Sequence, residues 1–414
     1  MNKYRIKPPA GGVVKGEITL NGSKSIANRV LIIRALTQKP FTIDNLSNAD
    51  DTVVLDTLLR SNESLLDAGA GGTTYRFLTA FLSTQEGRET ILTGSKRMQQ
   101  RPIRVLVDAL NQLGAEITYE NEVGFPPLCI KGKKLVGGQM TIPASTSSQY
   151  ITALLLIAPT LAKGLELQLE GEIVSLPYIL MTIKLLKYFG IDVSMKEHTI
   201  LVKPGSYQMK DFFVEADWSA ASYYYSMAFL SQEADILLKG LSRASTQGDA
   251  VIADIFSPWV ESIFEDNTVR LTKRNSNLPK TFQYDFLECP DLAQTVIAAL
   301  ASKSCHANFR GLKTLLIKET DRVEALDQEL GKYGVRLLGS VKDNNWQLQS
   351  TGFNPKTSPI PEIKTYEDHR MAMALTPIAL VTGEMIIQEP EVVTKSYPKF
   401  WEDVAALGFE VEEI

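Results

Sequence analysis

Short apolar runs and helix-spaced apolar stretches alternate along this chain, separated by tight turns of small or polar residues. Residues 17–20 read as a strand, 21–25 as a turn, and the segment through Arg29 to Leu36 as a helix. The same order returns at 64–78, 139–158, 212–230, 284–301 and 362–381, so six copies of one strand–turn–helix unit are expected. In most copies a second helix follows, and Gly114, Gly190, Gly334 and Gly408 each stand between its end and the next strand. Glycine there supplies the left-handed backbone that stops a helix without a steric cost. Each copy therefore predicts β-α-β-α-β at roughly 69 residues, too long for a solenoid repeat. Six such copies make two α/β domains of three each. The predicted division is residues 1–22 plus 216–414 for one domain and 23–215 for the other.

Composition narrows the class without choosing a chemistry. Of 414 residues, 44% are hydrophobic and 22% charged, as in ordinary globular proteins. No apolar run is long enough to cross a bilayer, and the first residues lack the apolar stretch of a secretory signal. Cys129, Cys289 and Cys305 lie far apart with no CxxC spacing, and the three histidines are scattered, so neither a disulfide framework nor a metal site is expected. A net charge of −5 offers no reason to expect nucleic acid or an anionic membrane as partner. A cytoplasmic, cofactor-free monomer is the expectation.

The turns carry the chemistry. A strand–turn–helix unit presents free N–H groups and the positive end of the helix dipole at its turn, and cations there work against that dipole. Yet Lys24, Arg76, Arg101, Lys318, Arg322, Arg370 and Lys395 all fall in these turns or first helical turns. Arg101-Pro102 reads as the start of a proline-led helix, and Lys395 as lying before another. A sequence selected for stability alone would place these charges at the other helix ends, so they are read as a local cation store for anionic substrates. Gly22-Ser23-Lys24-Ser25 misses the P-loop pattern and 69–74 misses GxGxxG, so no nucleotide site follows. Residues 145–149 offer hydroxyls and an amide at a helix start, which an N-cap cluster also explains. Asp291 with Gln294 has the form of a capping box, a reading that competes with a catalytic one. Glu319 lies between Lys318 and Arg322, and Asp368 precedes His369-Arg370.

In order along the chain, Gly22-Ser-Lys-Ser25 with Asn28-Arg29, Arg97-Met with Arg101-Pro-Ile103, Ser147-Ser-Gln149, Pro290-Asp291, Lys318-Glu-Thr-Asp-Arg322, Asp368-His-Arg-Met-Ala-Met373 and Lys395 resemble the enolpyruvyltransferases, and within them the branch acting on shikimate 3-phosphate. The likeness runs the length of the chain. It implies two similar domains, each of three βαβαββ units around a pseudo-threefold axis (an inside-out α/β barrel), with the active site in the interdomain cleft. It also implies transfer of the enolpyruvyl group of phosphoenolpyruvate to the 5-hydroxyl of shikimate 3-phosphate, with no cofactor and no metal. On that resemblance Lys24, Ser25, Arg29, Ser147, Ser148, Gln149, Ser175, Tyr178, Asp291 and Lys318 hold shikimate 3-phosphate. Lys24, Gly72, Arg101, Gln149, Arg322, Arg370 and Lys395 surround phosphoenolpyruvate, and Asp291, Glu319 and Lys24 move protons. A family sibling acting on UDP-N-acetylglucosamine carries a cysteine on a mobile loop, whereas Cys129 lies in a stretch that reads as strand. The chain departs from the pattern at 70–73, at Leu176 and Thr314, and in a short 60–66 stretch that implies a missing hairpin in the second unit.

Overall fold

The computed structural model describes residues 2–37, 39, 41–145, 147–350 and 352–414; Thr146 of the third predicted turn lies outside them. The chain forms two compact units, a discontinuous one of residues 1–21 and 215–414 and a continuous one of residues 22–214.

Among the described residues, five four-stranded sheets share one plan. In one, Gly138–Pro143 runs parallel to Leu165–Glu170, Thr199–Val202 follows antiparallel, and Val193–Lys196 closes the edge. Parallel neighbours need a crossover, which the helix Ser148–Ile157 supplies. That helix is apolar on all sides, and residues 150–157 are buried throughout. Trp218–Leu230 and Ala293–Ser302 are also wrapped by protein, so these helices line the inside of each unit. Strands such as Val13–Thr19 alternate buried and exposed positions, placing the sheets outside. Each unit is thus an α/β fold turned inside out, with three copies of the motif. The glycines after the second helices have φ of 103°, 83°, 82° and 90° at Gly114, Gly190, Gly334 and Gly408.

The first and fourth copies exchange their opening strands. Val13–Thr19 pairs in parallel with Glu233–Lys239 in the discontinuous unit, whereas the helix it leads to, Lys24–Leu36, belongs to the continuous unit. Conversely, Phe212–Phe213 pairs with Ile43–Asp44 in the continuous unit and leads to Trp218–Leu230 in the other. The Phe212 sheet has two strands, because the helix Asp50–Arg60 passes to the strand Leu65–Asp67 through four residues, leaving no length for a hairpin. The missing hairpin therefore belongs to the first copy, not the second.

Three local readings are corrected. The helix after Pro102 begins at Arg104, with Ile103 as its cap, so the proline precedes the helix and does not open it. Lys395 ends the 3₁₀ turn Pro390–Lys395, where a cation agrees with the dipole. The Asp291–Gln294 capping box does not form: Asp291 lies in the 3₁₀ turn Pro290–Leu292, Leu292 caps the helix, and both amide atoms of Gln294 are buried without a hydrogen-bond partner.

Candidate active site

In the discontinuous unit the chemistry gathers around one guanidinium. Asp321 caps the helix Arg322–Gly331 by accepting hydrogen bonds from the backbone N–H groups of Val323 (3.1 Å) and Glu324 (3.0 Å). The capped turn directs Arg322 into the protein, where it is 2% exposed. Its Nε donates to Asp368 Oδ2 (2.7 Å), its Nη1 to Asp291 Oδ1 (3.2 Å), and its Nη2 to Glu319 Oε2 (2.9 Å). Arg370 Nη2 pairs with Asp291 Oδ2 at 3.0 Å, Lys318 Nζ stands 3.7 Å from Asp291 Oδ1, and Lys395 Nζ pairs with Glu319 Oε1 at 2.8 Å. Six predicted site residues, Asp291, Lys318, Glu319, Arg322, Arg370 and Lys395, thus form one network with Asp368.

Charge compensation sets the electrostatics of this network. Burial works to raise the Asp291 carboxyl, but Arg370, Lys318 and Arg322 overcome it and hold the group well below the usual carboxylate range. Burial likewise lowers Lys318, partly offset by Asp291. Burial would also weaken Arg322 as a cation, yet Asp368, Glu319 and Asp291 push it above its ordinary value. Arg370 further donates to Tyr223 Oη and Ser219 Oγ, both at 3.4 Å. Ser219 in turn donates to Asp249, a buried carboxyl pushed up to about 7 by burial and by the charge of Asp291.

The continuous unit holds its cations differently. Arg29, 3% exposed, donates to Thr182 Oγ1 (2.9 Å), Thr152 Oγ1 (3.2 Å) and the carbonyls of Ser25 (2.6 Å) and Tyr178 (3.3 Å). Its guanidinium lies 5.9 Å from the Tyr178 ring centroid. Among the described residues no carboxylate pairs with it, and burial lowers it to about 10. Lys24 Nζ pairs with Asp51 Oδ2 at 3.1 Å. Gln149 accepts from Arg76 Nη1 (2.8 Å) and donates to Thr73 Oγ1 (2.9 Å). A Cβ on Gly72 would meet Arg101 Nη1 and Arg76 Nη1, each at 2.6 Å, so only glycine lets two guanidinium groups approach this helix start. Ser147 caps the helix opened by Ser148, and Ser175 caps Leu176–Tyr188 at φ 57°.

Asp51, Thr152, Thr182, Ser219, Tyr223 and Asp249 were not predicted from sequence. Asp51 opens a helix beside Asp50, where the dipole alone explains an acid. The others sit in apolar helices or turns with no local mark of a distant partner.

Inside-out α/β repeats with buried cations gathered near their turns are the build of an anion-handling transferase. The chain belongs to the EPSP synthase (3-phosphoshikimate 1-carboxyvinyltransferase) family, whose model matches residues 9–61 and 55–404. A 3-phosphoshikimate 1-carboxyvinyltransferase of Bacteroides fragilis strain YCH46 is 46% identical over 412 residues, 99% of each chain. One of Sulfurovum sp. strain NBC37-1 is 34% identical over 438 aligned positions, covering 99% of this chain and 100% of that one. A solved structure of EPSP synthase from Acinetobacter baumannii superposes with a TM-score of 0.80 over the full length of both chains at 22% identity, a likeness of fold. Cys129 lies in the strand Leu128–Lys131, its thiol raised by burial and by Glu89. Among the described residues no helix is long and apolar enough to cross a membrane.

Proposed function

We propose that this chain transfers the enolpyruvyl group of phosphoenolpyruvate to the 5-hydroxyl of shikimate 3-phosphate, releasing phosphate. The observation that carries the reading is the Arg322 network, in which two candidate proton-transfer groups, Asp291 and Glu319, are paired with the cations that would receive an anionic substrate. In this reading Arg29, Ser25, Ser147, Ser148, Gln149, Ser175, Tyr178 and Lys318 hold shikimate 3-phosphate. Lys24, Gly72, Arg101, Gln149, Arg322, Arg370 and Lys395 receive phosphoenolpyruvate.

The pairing suggests how binding readies the chemistry. Asp291 is held ionised by Arg370, Lys318 and Arg322, which makes it a weak base. An incoming phosphate and carboxylate compete for the same guanidinium groups, and the loosened carboxylates regain proton affinity. Asp291 then accepts the proton of the 5-hydroxyl as its oxygen bonds to C2 of phosphoenolpyruvate. Glu319, assisted by Lys24, protonates the C3 methylene. The tetrahedral intermediate collapses by breaking the C2–O bond to phosphate and returning a proton from C3, so substrates and products balance. Each positioned acid or base contributes ~10²–10⁴-fold. Holding two anions side by side supplies much of the remainder, and the cations offset their repulsion. One chain suffices for these roles, and the reaction is assigned to the cytoplasm, where both substrates are small and soluble.

The test is phosphate release from phosphoenolpyruvate, with and without shikimate 3-phosphate and with and without EDTA. Release that requires both substrates and ignores the chelator is expected. Release with UDP-N-acetylglucosamine in place of shikimate 3-phosphate would transfer the assignment to the sibling activity, and silence with both acceptors would leave an anion-binding protein.

A further inference from the structure

Asp368 is fully buried and does two tasks at once: it pairs with Arg322 through both oxygens (2.7 and 3.3 Å) and accepts from the backbone N–H of Arg370 (2.9 Å). Whatever places Asp368 therefore acts on the Arg322 guanidinium and on the helix start that carries Arg370. Its N–H donates to the Thr365 carbonyl at 3.0 Å, closing a turn whose two central residues, Tyr366 and Glu367, both have φ of 56°. Consecutive non-glycine residues in the left-handed region are strained and persist only where other contacts impose them.

Those contacts converge on Glu329, which is 1% exposed. Glu329 Oε1 accepts from the Tyr366 hydroxyl at 2.7 Å, and Oε2 accepts from the backbone N–H of Lys364 at 3.2 Å. Lys332 Nζ pairs with Glu329 and donates to the Glu362 carbonyl at 2.7 Å. Gln328 Oε1 lies 2.8 Å from the Tyr366 hydroxyl as a second acceptor for its single proton. Glu329 and Arg322 share the helix Arg322–Gly331, seven residues and about 10 Å apart along its axis and on one face. The helix thus grips the 364–368 turn at two points, once through Arg322 and Asp368 and once through Glu329 and Tyr366. One contact would leave the turn free to pivot; two fix its orientation.

We propose that Glu329 and Tyr366 are positioning residues for the cation network: they set Asp368, and through it Arg322 and the helix start bearing Arg370. Naming phosphoenolpyruvate as the anion received there rests on the function proposed above; the positioning itself does not.

Tyr366→Phe removes one hydroxyl and keeps the ring. It is expected to raise KM for phosphoenolpyruvate about 10-fold with a smaller fall in kcat, because these cations hold the anion and also set the proton affinity of Asp291 and Glu319. Amide exchange at Arg370, whose N–H is held by Asp368, is expected to quicken about 10-fold. Tyr225→Phe removes a hydroxyl bonded to Ser262 at 2.8 Å, on a ring more deeply buried than that of Tyr366, and should move Tm without moving KM or Arg370 exchange. Glu329→Ala should repeat the Tyr366→Phe pattern more strongly, and the double variant should be no worse than Glu329→Ala alone. Wild-type KM together with wild-type Arg370 exchange in Tyr366→Phe overturns the proposal, whatever happens to Tm. If the unmodified protein shows no turnover with these substrates, the functional reading fails, and Arg370 exchange still decides the positioning role.

Discussion

Arg29 and Arg322 are almost equally buried, and their surroundings are opposite. Arg322 meets three carboxylates, and its hold on its proton is strengthened beyond the ordinary value. Among the described residues Arg29 hydrogen-bonds only to hydroxyls and carbonyls, and burial lowers it to about 10. A buried charge with neutral partners is costly unless a counter-charge arrives, whereas a buried charge with carboxylates is complete by itself. One unit therefore holds a guanidinium bonded to neutral oxygens among the described residues; the other holds guanidinium groups answered by acids. Under the proposed function, the first arrangement would favour tight capture of a fixed anion, and the second would couple capture to proton transfer.

The comparison is tested most severely by Arg322→Met. Removing this guanidinium takes the paired cation from fully buried Asp368 and one of the cations from Asp291 and Glu319, which keep Arg370 and Lys395. Loss of about 3–5 kcal/mol is expected, the usual cost of breaking a buried pair from one side. Urea unfolding of the unliganded protein measures it. A loss under about 1 kcal/mol would mean that water already reaches the carboxylates, and the contrast with Arg29 would collapse.

Much of this contrast was prefigured in the chain, and its sharpest part was not. The copies could be read because turns and helix-ending glycines are local, as at Gly114 and Gly334. The misplaced cations could be read because the helix dipole gives each position an expected sign. The strand exchange between 13–19 and 212–213 could not, since both strands precede ordinary turns and only long-range pairing distinguishes them. Partner identity was equally hidden. Arg29 and Arg322 follow similar turns, and nothing nearby says that one will face Thr152 and Thr182 while the other faces Asp368, 46 residues on. Asp291 invited a capping reading because its spacing to Gln294 is that of a cap, but the 3₁₀ turn at 290–292 shifted the helix start past it.

Asp249 is the acid that blurs the contrast, since it sits beside the compensated network with no ion pair among the described residues. The groups that act on it are Ser219, Asp217, Asp291 and Arg370, and it in turn raises the Cys289 thiol. Its carboxyl lies at about 7 against an ordinary 3.8, so the folded state binds its proton more tightly than the unfolded chain does. The stability it contributes is complete below about pH 4 and is lost as pH rises towards 7. Asp291 is shifted the other way, and its contribution is lost only as pH falls below about 4, so the two windows do not overlap. Asp249→Asn should therefore be more stable than wild type at pH 8 by ~1–3 kcal/mol, with the gain fading by pH 4. Unfolding followed at pH 4, 6 and 8 reads this directly. A constant difference across that range would remove Asp249 from the titrating set.

The smallest expected effect is also the most discriminating. Arg29→Met removes a charge that no carboxylate answers, and it leaves little unsatisfied behind. Thr152 and Thr182 lie 3.2 Å apart and can bond each other, and Thr182 already donates to the Tyr178 carbonyl at 2.8 Å. The Ser25 and Tyr178 carbonyls each lose a guanidinium donor, but Tyr178 keeps Thr182, so the unliganded protein should change by less than about 1 kcal/mol. The difference should appear when an anion is supplied. Inorganic phosphate at ten times its dissociation constant stabilises a binding protein by about 1.4 kcal/mol, and Arg29→Met should lose the share of that gain owed to this site. Arg322→Met should show the reverse: a large loss without phosphate, because its charge is already answered by Asp368. If Arg29→Met instead falls by about 3–5 kcal/mol in the absence of phosphate, Arg29 is a structural cation like Arg322. The two units would then differ only in which oxygens, carbonyl or carboxylate, hold their charges in place.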